Sequence, residues 1–448
     1  MTVATNSAKA SPATSPGGCS PAGCTTCAPE AGVKSAICGV IPDFLAKTPP
    51  SRLRDILKQE AFSDEDIVYL LGLTRPEDCE ALRRAAYDLT TRLIGDKVHY
   101  RGIVEFSNIC ALNCRYCGIR KSNKAVPRYM LSKEQIVESA LWAAENNYGS
   151  ICLQAGERRD ETFIRFVEDC IREIREKSVS EKLPRGLSMT LSLGEQEAGT
   201  YRRWRDAAGD HGGLRYLLRM ESTNPELFAR LHPSRDGRAA EKNYESRVRA
   251  LHDIRAAGLQ VGTGGMIGLP GQTLADLCAD IRFYDRYDVD MLGMGPYIVS
   301  MGADMIDEGM LDAEPLLQLS MNMLAVTRLV LRDVNIAAAT ALQTLREEGR
   351  ELGITYGCNI VMPNISPRDV RKHYQLYDNK PCIEEERTDC RGCLETRIRS
   401  VGRRVGWNEW GCSRHYAERS AALGGHGTKQ TQSSLAAFCD PLLSPCAS

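Results

Sequence analysis

Short apolar runs alternate with longer amphipathic stretches through the middle of the chain, and that alternation predicts its architecture. The runs cover 102–107, 150–155, 188–193, 216–221, 259–268, 291–299, 335–341 and 359–363. Each has strand length and is nearly continuous in apolar residues, as expected where a parallel sheet is covered on both faces. Between them, 133–146, 160–176, 274–287 and 316–332 have the length and periodicity of helices. Regular βα repeats predict a parallel sheet, and eight of them predict an α/β fold closed as a (β/α)8 TIM barrel.

The flanks differ in pattern. Residues 1–48 are rich in Ser, Thr, Ala, Pro and Gly, lack periodicity and read as a disordered extension. That stretch holds Cys19, Cys24, Cys27 and Cys38, and its hydroxyl-rich, acid-poor character would also suit an organellar transit peptide. Residues 49–97 read as N-terminal helices: Ser63-Asp64-Glu65-Asp66 looks like a capping box, and Pro76 suits a first helical turn. The barrel is expected over 98–380 and a C-terminal segment over 381–418. Residues 419–448, rich in Gly, Ser, Thr and Gln, read as a disordered tail.

Composition narrows the function. Across 448 residues, 57 Lys and Arg balance 58 Asp and Glu, so nothing marks a nucleic-acid or anionic-membrane partner. No apolar run is long enough to span a bilayer. Eighteen cysteines could form a disulfide framework, but such frameworks belong to small secreted domains, and no apolar leader is legible here. A reducing cytoplasm is the expected setting, or a plastid or hydrogenosome if the N-terminal stretch is a transit peptide.

The chemistry starts at Cys110, Cys114 and Cys117, spaced C-x3-C-x2-C directly after the first barrel strand. Thiolates hold iron–sulfur clusters, and a four-iron cube normally takes four. Three leave one iron open to bind and reduce a small molecule. A structural zinc site would close with four ligands, usually in two separated pairs. In a barrel of this kind the site is built from the C-terminal strand ends. There lie Ser107-Asn108, Gln154-Ala155-Gly156-Glu157, Ser192-Leu193-Gly194-Glu195, Arg219-Met220-Glu221 and Met362-Pro363-Asn364. Gly156 allows close backbone approach to a ligand, and Glu157 adds a carboxylate. Arg219 and Glu221 alternate along one strand and so face one way. They either pair with each other or bind a zwitterion, with Arg247 adding a guanidinium fork for a carboxylate. The glycine-rich stretch from Gly262 to Thr273 misses a dinucleotide fingerprint, because Ile267 stands where the third glycine belongs. Cys382, Cys390 and Cys393, spaced C-x7-C-x2-C, suggest an accessory cluster beyond the barrel, with Cys412 near enough in sequence to be a fourth ligand. Cys79, Cys152, Cys170, Cys278 and Cys358 read as core thiols.

The cysteine spacing, with Tyr116 before its last thiol, resembles the radical S-adenosylmethionine (SAM) superfamily. Further segments are similar to FeFe-hydrogenase maturases of the HydE type, from about Ser51 to Glu418. They include Val104-Glu105-Phe106-Ser107-Asn108, Arg128-Tyr129-Met130, Leu191-Ser192-Leu193-Gly194-Glu195, Gly268-Leu269-Pro270-Gly271-Gln272-Thr273, Val361-Met362-Pro363-Asn364 and Tyr374-Gln375-Leu376-Tyr377. The resemblance implies a 4Fe–4S cluster on Cys110, Cys114 and Cys117. It implies SAM positioned by Tyr116, Gly156, Glu157, Ser192, Arg219, Glu221 and Arg247, and a substrate cavity lined by Thr340 and Met362. A second cluster, 2Fe–2S or 4Fe–4S, would sit on Cys382, Cys390 and Cys393. The implied reaction is radical processing of an iron–cysteine carbonyl/cyanide complex during assembly of the hydrogenase di-iron centre. Implied partners are maturases of the HydG type, a HydF-type scaffold and a ferredoxin or flavodoxin donor, with this chain a monomer. Ala339 departs from the resemblance, which has a second threonine there, as do an insertion around 236–241 and the N-terminal extension. Rival readings are a radical SAM mutase or sulfur inserter acting on an organic substrate, and a non-catalytic iron–sulfur carrier.

Overall fold

The computed structural model describes residues 51–209, 213–233 and 243–424. The proposed extension with its four cysteines, the insertion around 236–241, and Cys439 and Cys446 lie outside them. The described residues form twelve strands: β1 Lys97–Tyr100, β2 Gly102–Ser107, β3 Ser150–Ala155, β4 Ser188–Ser192, β5 Leu214–Leu217, β6 Gln260–Thr263, β7 Met266–Ile267, β8 Met291–Leu292, β9 Gly295–Pro296, β10 Asn335–Ile336, β11 Ile360–Val361 and β12 Arg404–Val405.

Seven of them make one parallel sheet in the order β10-β8-β6-β5-β4-β3-β2. Its two edges meet through β11. The amide of Asn359 donates to Ile336 O at 2.9 Å on one side, and the amide of Ile103 donates to Pro363 O at 2.8 Å on the other. Parallel bridges Ala337–Ile360 and Ile103–Asn364 complete the circuit, so eight strands enclose the interior as the βα repeats predict.

Local chemistry explains the helices. Lys133–Glu145 opens on a capping box between Ser132 and Gln135, and Leu274–Arg286 on one between Thr273 and Asp276. Glu161–Lys177 buries Phe163, Ile164, Val167, Cys170, Ile171 and Ile174, one face of a 3.6-residue period. Ala313–Leu331 is buried almost all round because the N-terminal helices cover its outer side. There Asn322 Nδ2 donates to the carbonyls of Leu71 and Leu73 at 3.0 and 2.8 Å. The expected caps at Ser63 and Pro76 are present. The five proposed core thiols are buried.

Several expectations need correction: 259–268 is broken into Gln260–Thr263 and Met266–Ile267, and 291–299 into Met291–Leu292 and Gly295–Pro296. Strand 216–221 is instead Leu214–Leu217, and 335–341 shrinks to Asn335–Ile336 before Ala341 opens the helix Ala341–Leu345. The ends of both predicted strands have left the ladder and line the site. The tail boundary at 419 falls inside a helix, Arg414–Gly424. The C-terminal segment is tied into the sheet. β12 pairs with β1, and β1 pairs with β11. Residues 410 and 411 then plug the lower, N-terminal end of the barrel. Arg215 Nη2 donates to Trp410 O at 2.5 Å, and Arg101 Nη2 and Asn335 Nδ2 donate to Gly411 O at 3.2 and 2.9 Å. Among the described residues no helix is long and apolar enough to cross a membrane.

Candidate active site

A cavity of about 350 Å³ opens at the C-terminal ends of the strands. Thirteen sequence-predicted residues line it: Cys110, Cys114, Tyr116, Cys117, Gly156, Glu157, Ser192, Arg219, Glu221, Arg247, Thr340, Met362 and Cys382. Cys390 and Cys393 do not.

The cysteine loop leaves β2 and is held by two side chains that carry no cofactor chemistry. Asn108 Nδ2 donates to Pro127 O and His373 O at 2.8 and 2.7 Å, while its Oδ1 accepts from the Tyr129 amide at 2.9 Å. Arg128 binds the carbonyls of Asn108, Ile119, Arg120 and Asn123 at 2.6, 2.7, 2.5 and 2.9 Å. Five donors in a rigid fork suit such a clamp. Gly156 packs tightly against the same loop, since a Cβ there would lie 2.5 Å from Ile109 O and 2.7 Å from Cys110 Cβ. Its lack of a side chain thus serves the cysteine loop.

Burial pushes all three thiols up, Cys110 to about 11 and Cys114 to about 12, and Cys117 in the same direction. They need a cationic iron body to hold them as thiolates. Among the described residues no three His, Cys, Asp or Glu side chains converge to grip a single ion. Three thiols on one short loop bounding the cavity fit a cluster with an open corner. Tyr116 stands between Cys114 and His232. His232 Nδ1 faces Phe228 O at 3.0 Å, leaving Nε2 to accept from the Tyr116 hydroxyl at 3.2 Å. Burial, then Arg247, pushes His232 down to about 3, so it is neutral.

Opposite the thiols lies a charged set. Glu157 accepts from the Glu195 amide at 3.0 Å and from Arg159 Nη2 at 2.9 Å. Gly194, at φ 74°, leaves room for it, because a Cβ would fall 2.2 Å from Glu157 Oε2. Arg247 is buried with Nε 2.5 Å from Glu195 Oε1 and Nη1 on the carbonyl of Arg219. Arg219 Nη2 lies 2.9 Å from Glu221 Oε2. Both residues sit past the end of β5, and Glu221 takes φ 69°, so bending of the chain, not strand alternation, brings the pair together. Arg247 Nη2 and Arg219 Nε are buried without a hydrogen-bond partner among the described residues. Carboxylates and unfulfilled guanidinium donors facing one space suit an ammonium-carboxylate zwitterion.

On the side of Thr340 and Met362 the cavity has charged residues that sequence reading missed. Glu105 accepts from Asn364 Nδ2 at 2.9 Å and pairs with Lys380, whose Nζ also donates to Tyr374 O at 3.0 Å. An acid within an otherwise apolar strand was the available signal. Arg350 Nη2 lies 3.7 Å from Cys382 Sγ. A hydrogen bond from Cys390, with Arg350 alongside, holds the Cys382 thiol down, while that bond and burial push Cys390 up. Cys393 is exposed one helical turn beyond Cys390 in Arg387–Ser400. Cys412 is not a fourth member. It sits at the lower end of the barrel, its Sγ 3.4 Å from Gln260 Nε2 and 3.6 Å from Arg215 Nη2. A second cleft of about 260 Å³ at that end holds His415 between Asp288 and Asp333 and contains no thiol. It is the joint on which the helix Arg414–Gly424 docks.

A parallel barrel with three loop thiols and a rim of carboxylates and guanidinium groups is the arrangement of a radical SAM enzyme, and residues 104–284 match the Radical SAM superfamily. Over 356 residues the chain is 37% identical to the FeFe hydrogenase maturase subunit HydE of Thermotoga maritima, covering 79% of this chain and 95% of that protein. Biotin synthase of Rhodopirellula baltica is 25% identical over 253 residues, 55% of this chain and 64% of that protein. Two solved structures share the fold. Methylornithine synthase superposes with a TM-score of 0.65 at 22% identity, covering 83% of this chain and 100% of that one. The maturase HydG from Carboxydothermus hydrogenoformans gives 0.65 at 19% identity, covering 82% and 81%. The chain belongs to the radical SAM superfamily and, within it, to the HydE-type FeFe-hydrogenase maturases. It is a radical SAM enzyme of hydrogenase maturation, and the family implies a 4Fe–4S cluster and SAM.

Proposed function

We propose that the chain uses SAM to process an iron–cysteine carbonyl/cyanide complex into a di-iron precursor for a HydF-type scaffold, receiving that complex from a HydG-type maturase. The single observation that carries this reading is one cavity joining the three thiols, the charged rim and the Thr340/Met362 wall.

Cys110, Cys114 and Cys117 would hold the 4Fe–4S cluster, and Arg128 and Asn108 keep their loop in shape. When bound, the cluster supplies the electron that splits SAM into methionine and a 5′-deoxyadenosyl radical. The chain itself binds and orients. Arg247 and Arg219 offer donors to the SAM carboxylate, Glu157 and Glu221 accept from its ammonium, and Gly156, Ser192 and Tyr116 bound the adjoining space. Neutral His232 keeps the Tyr116 hydroxyl as its donor, so no proton is lost there. Thr340 and Met362 line the substrate side with the Glu105–Lys380 pair, and the plugged lower end excludes water from below. Cys382, Cys390 and Cys393 would hold a second iron–sulfur cluster. Ferredoxin or flavodoxin would supply the electron, and the protein would act as a monomer in the cytoplasm.

The test is anaerobic maturation of an apo-hydrogenase in which this chain is the component omitted or supplied, read as hydrogen evolution. Activity that requires the chain and fails with Cys114→Ser is the expected outcome. Intact SAM cleavage without maturation would overturn the substrate and leave the radical chemistry in place.

A further inference from the structure

The segment from Cys110 to Arg128 carries Arg115, Arg120, Lys121, Lys124 and Arg128 and no acidic residue. Three of these cations are engaged. Arg115 pairs with Glu308 at 2.8 Å, Arg120 pairs with Asp304, and Arg128 clamps the loop carbonyls. Lys121 and Lys124 are exposed and enter no ion pair among the described residues.

Their position relative to the thiols is defined by hydrogen bonds. The Lys121 amide donates to Leu112 O at 2.7 Å, and the Ser122 amide donates to Asn113 Oδ1 at 2.8 Å. The lysine turn therefore lies against the stretch that separates Cys110 from Cys114. Ala111 is exposed in that stretch, and Cys110 and Cys114 are only partly covered. Beside the turn, Gly302 packs on Asn123, since a Cβ there would fall 2.2 Å from Asn123 Nδ2, and it carries the neighbouring Met301 outward, 76% exposed. Lys372 is also exposed, next to His373, whose carbonyl accepts from Asn108 at the start of the cysteine loop. Of the nearby acids, Asp304 and Glu308 are paired, Asp378 accepts from the Met301 amide at 2.9 Å, and Asp307 and Asp369 are exposed, Asp369 three residues before Lys372. The opposite end of the barrel is closed by Arg101, Arg215 and residues 410–411, so a donor there would stand a full barrel length from the thiols.

We propose that Lys121, Lys124 and Lys372, around the apolar tip of Met301, form the docking face for a one-electron donor protein with an acidic surface. The proposal rests on the cluster reading of Cys110, Cys114 and Cys117. One electron leaves the reduced donor and takes the cluster from its 2+ to its 1+ state. A cationic rim about an apolar centre steers such a partner and fixes its register, and rim charges act mainly on encounter.

The test uses the anaerobically reconstituted full chain and flavodoxin as an acidic probe. Two quantities are read: calorimetric affinity for oxidised flavodoxin, and the rate at which flavodoxin hydroquinone bleaches the cluster absorbance. In a Lys121→Glu/Lys124→Glu variant both are expected to fall by about ten-fold or more, while reduction by dithionite keeps its rate. In the unmodified protein the flavodoxin rate is expected to fall as salt is raised. A variant that binds flavodoxin like the parent, or a parental rate indifferent to salt, overturns the proposal; the salt arm needs no variant to fold. Failure of the parent to load a dithionite-reducible cluster would instead overturn the cysteine reading.

Discussion

Arg247 Nε lies 2.5 Å from Glu195 Oε1, with both side chains almost wholly buried, so the guanidinium is aimed before any ligand arrives. Its Nη1 rests on the carbonyl of Arg219, which leaves Nη2 free toward the cavity. Breaking a buried pair on one side leaves a charge without compensation, at a cost of about 3–5 kcal/mol. Glu195→Gln keeps the shape and removes the charge. It is expected to weaken SAM binding at least about ten-fold while iron content stays normal. Calorimetry with SAM alongside iron analysis checks this, and equal loss of both would mean that Glu195 supports the fold and not the site.

Gly156→Ala would press a methyl group onto backbone at Ile109 and Cys110 Cβ. Backbone yields little, so the cysteine loop has to move. Arg128→Ala would release four carbonyls of the same loop. Both variants are expected to fold with a loss of about 1–3 kcal/mol and to take up markedly less iron after reconstitution. Circular dichroism and iron assays separate the two effects, and full iron loading in either variant would contradict the packing described.

His415 clamps the C-terminal helix through Asp288 and Asp333, which raise it from 6.5 to about 10. A raised folded value means the stabilisation is complete below about 6.5 and is lost as pH climbs through about 10. The melting temperature is therefore expected to decline between neutral pH and pH 10. His415→Ala should remove about 2 kcal/mol at neutral pH and flatten that decline. Thermal melts across pH decide it: an unchanged slope in the variant would exclude His415 as the source.

Cys390 and Cys393 stand away from the cavity that holds the cysteine loop. Replacing Cys382, Cys390 and Cys393 together by Ala is expected to lower the iron bound per chain and to leave SAM cleavage within about two-fold of the parent, since no atom of the proposed SAM pocket changes. Iron analysis and 5′-deoxyadenosine yield measure the two. Unchanged iron content would remove the second cluster.

Strand and helix periods, helix caps and the spacing of Cys110, Cys114 and Cys117 are local properties, and they were legible because each depends on neighbours within a few residues. The eight βα units and the first three barrel strands to within a residue followed from them, whereas Thr340 and Met362 were reached only through the family resemblance. The residues after β5 and β10 were placed on strands because apolar runs do not mark where a ladder stops. That limit depends on whether the next strand still offers a partner.

What the chain could not reveal by itself involves partners far apart along it. Glu105 meets Lys380, separated by 275 positions, only because the barrel closes. Arg247 finds Glu195 because a helix after β5 folds back over the end of β4. Cys412 is sent to the lower end, away from Cys382, because β12 adds to β1. A buried charge must find its counter-charge wherever the fold brings one. The residues able to bind were therefore written in the sequence, while the pairs that aim them were decided by closure of the barrel.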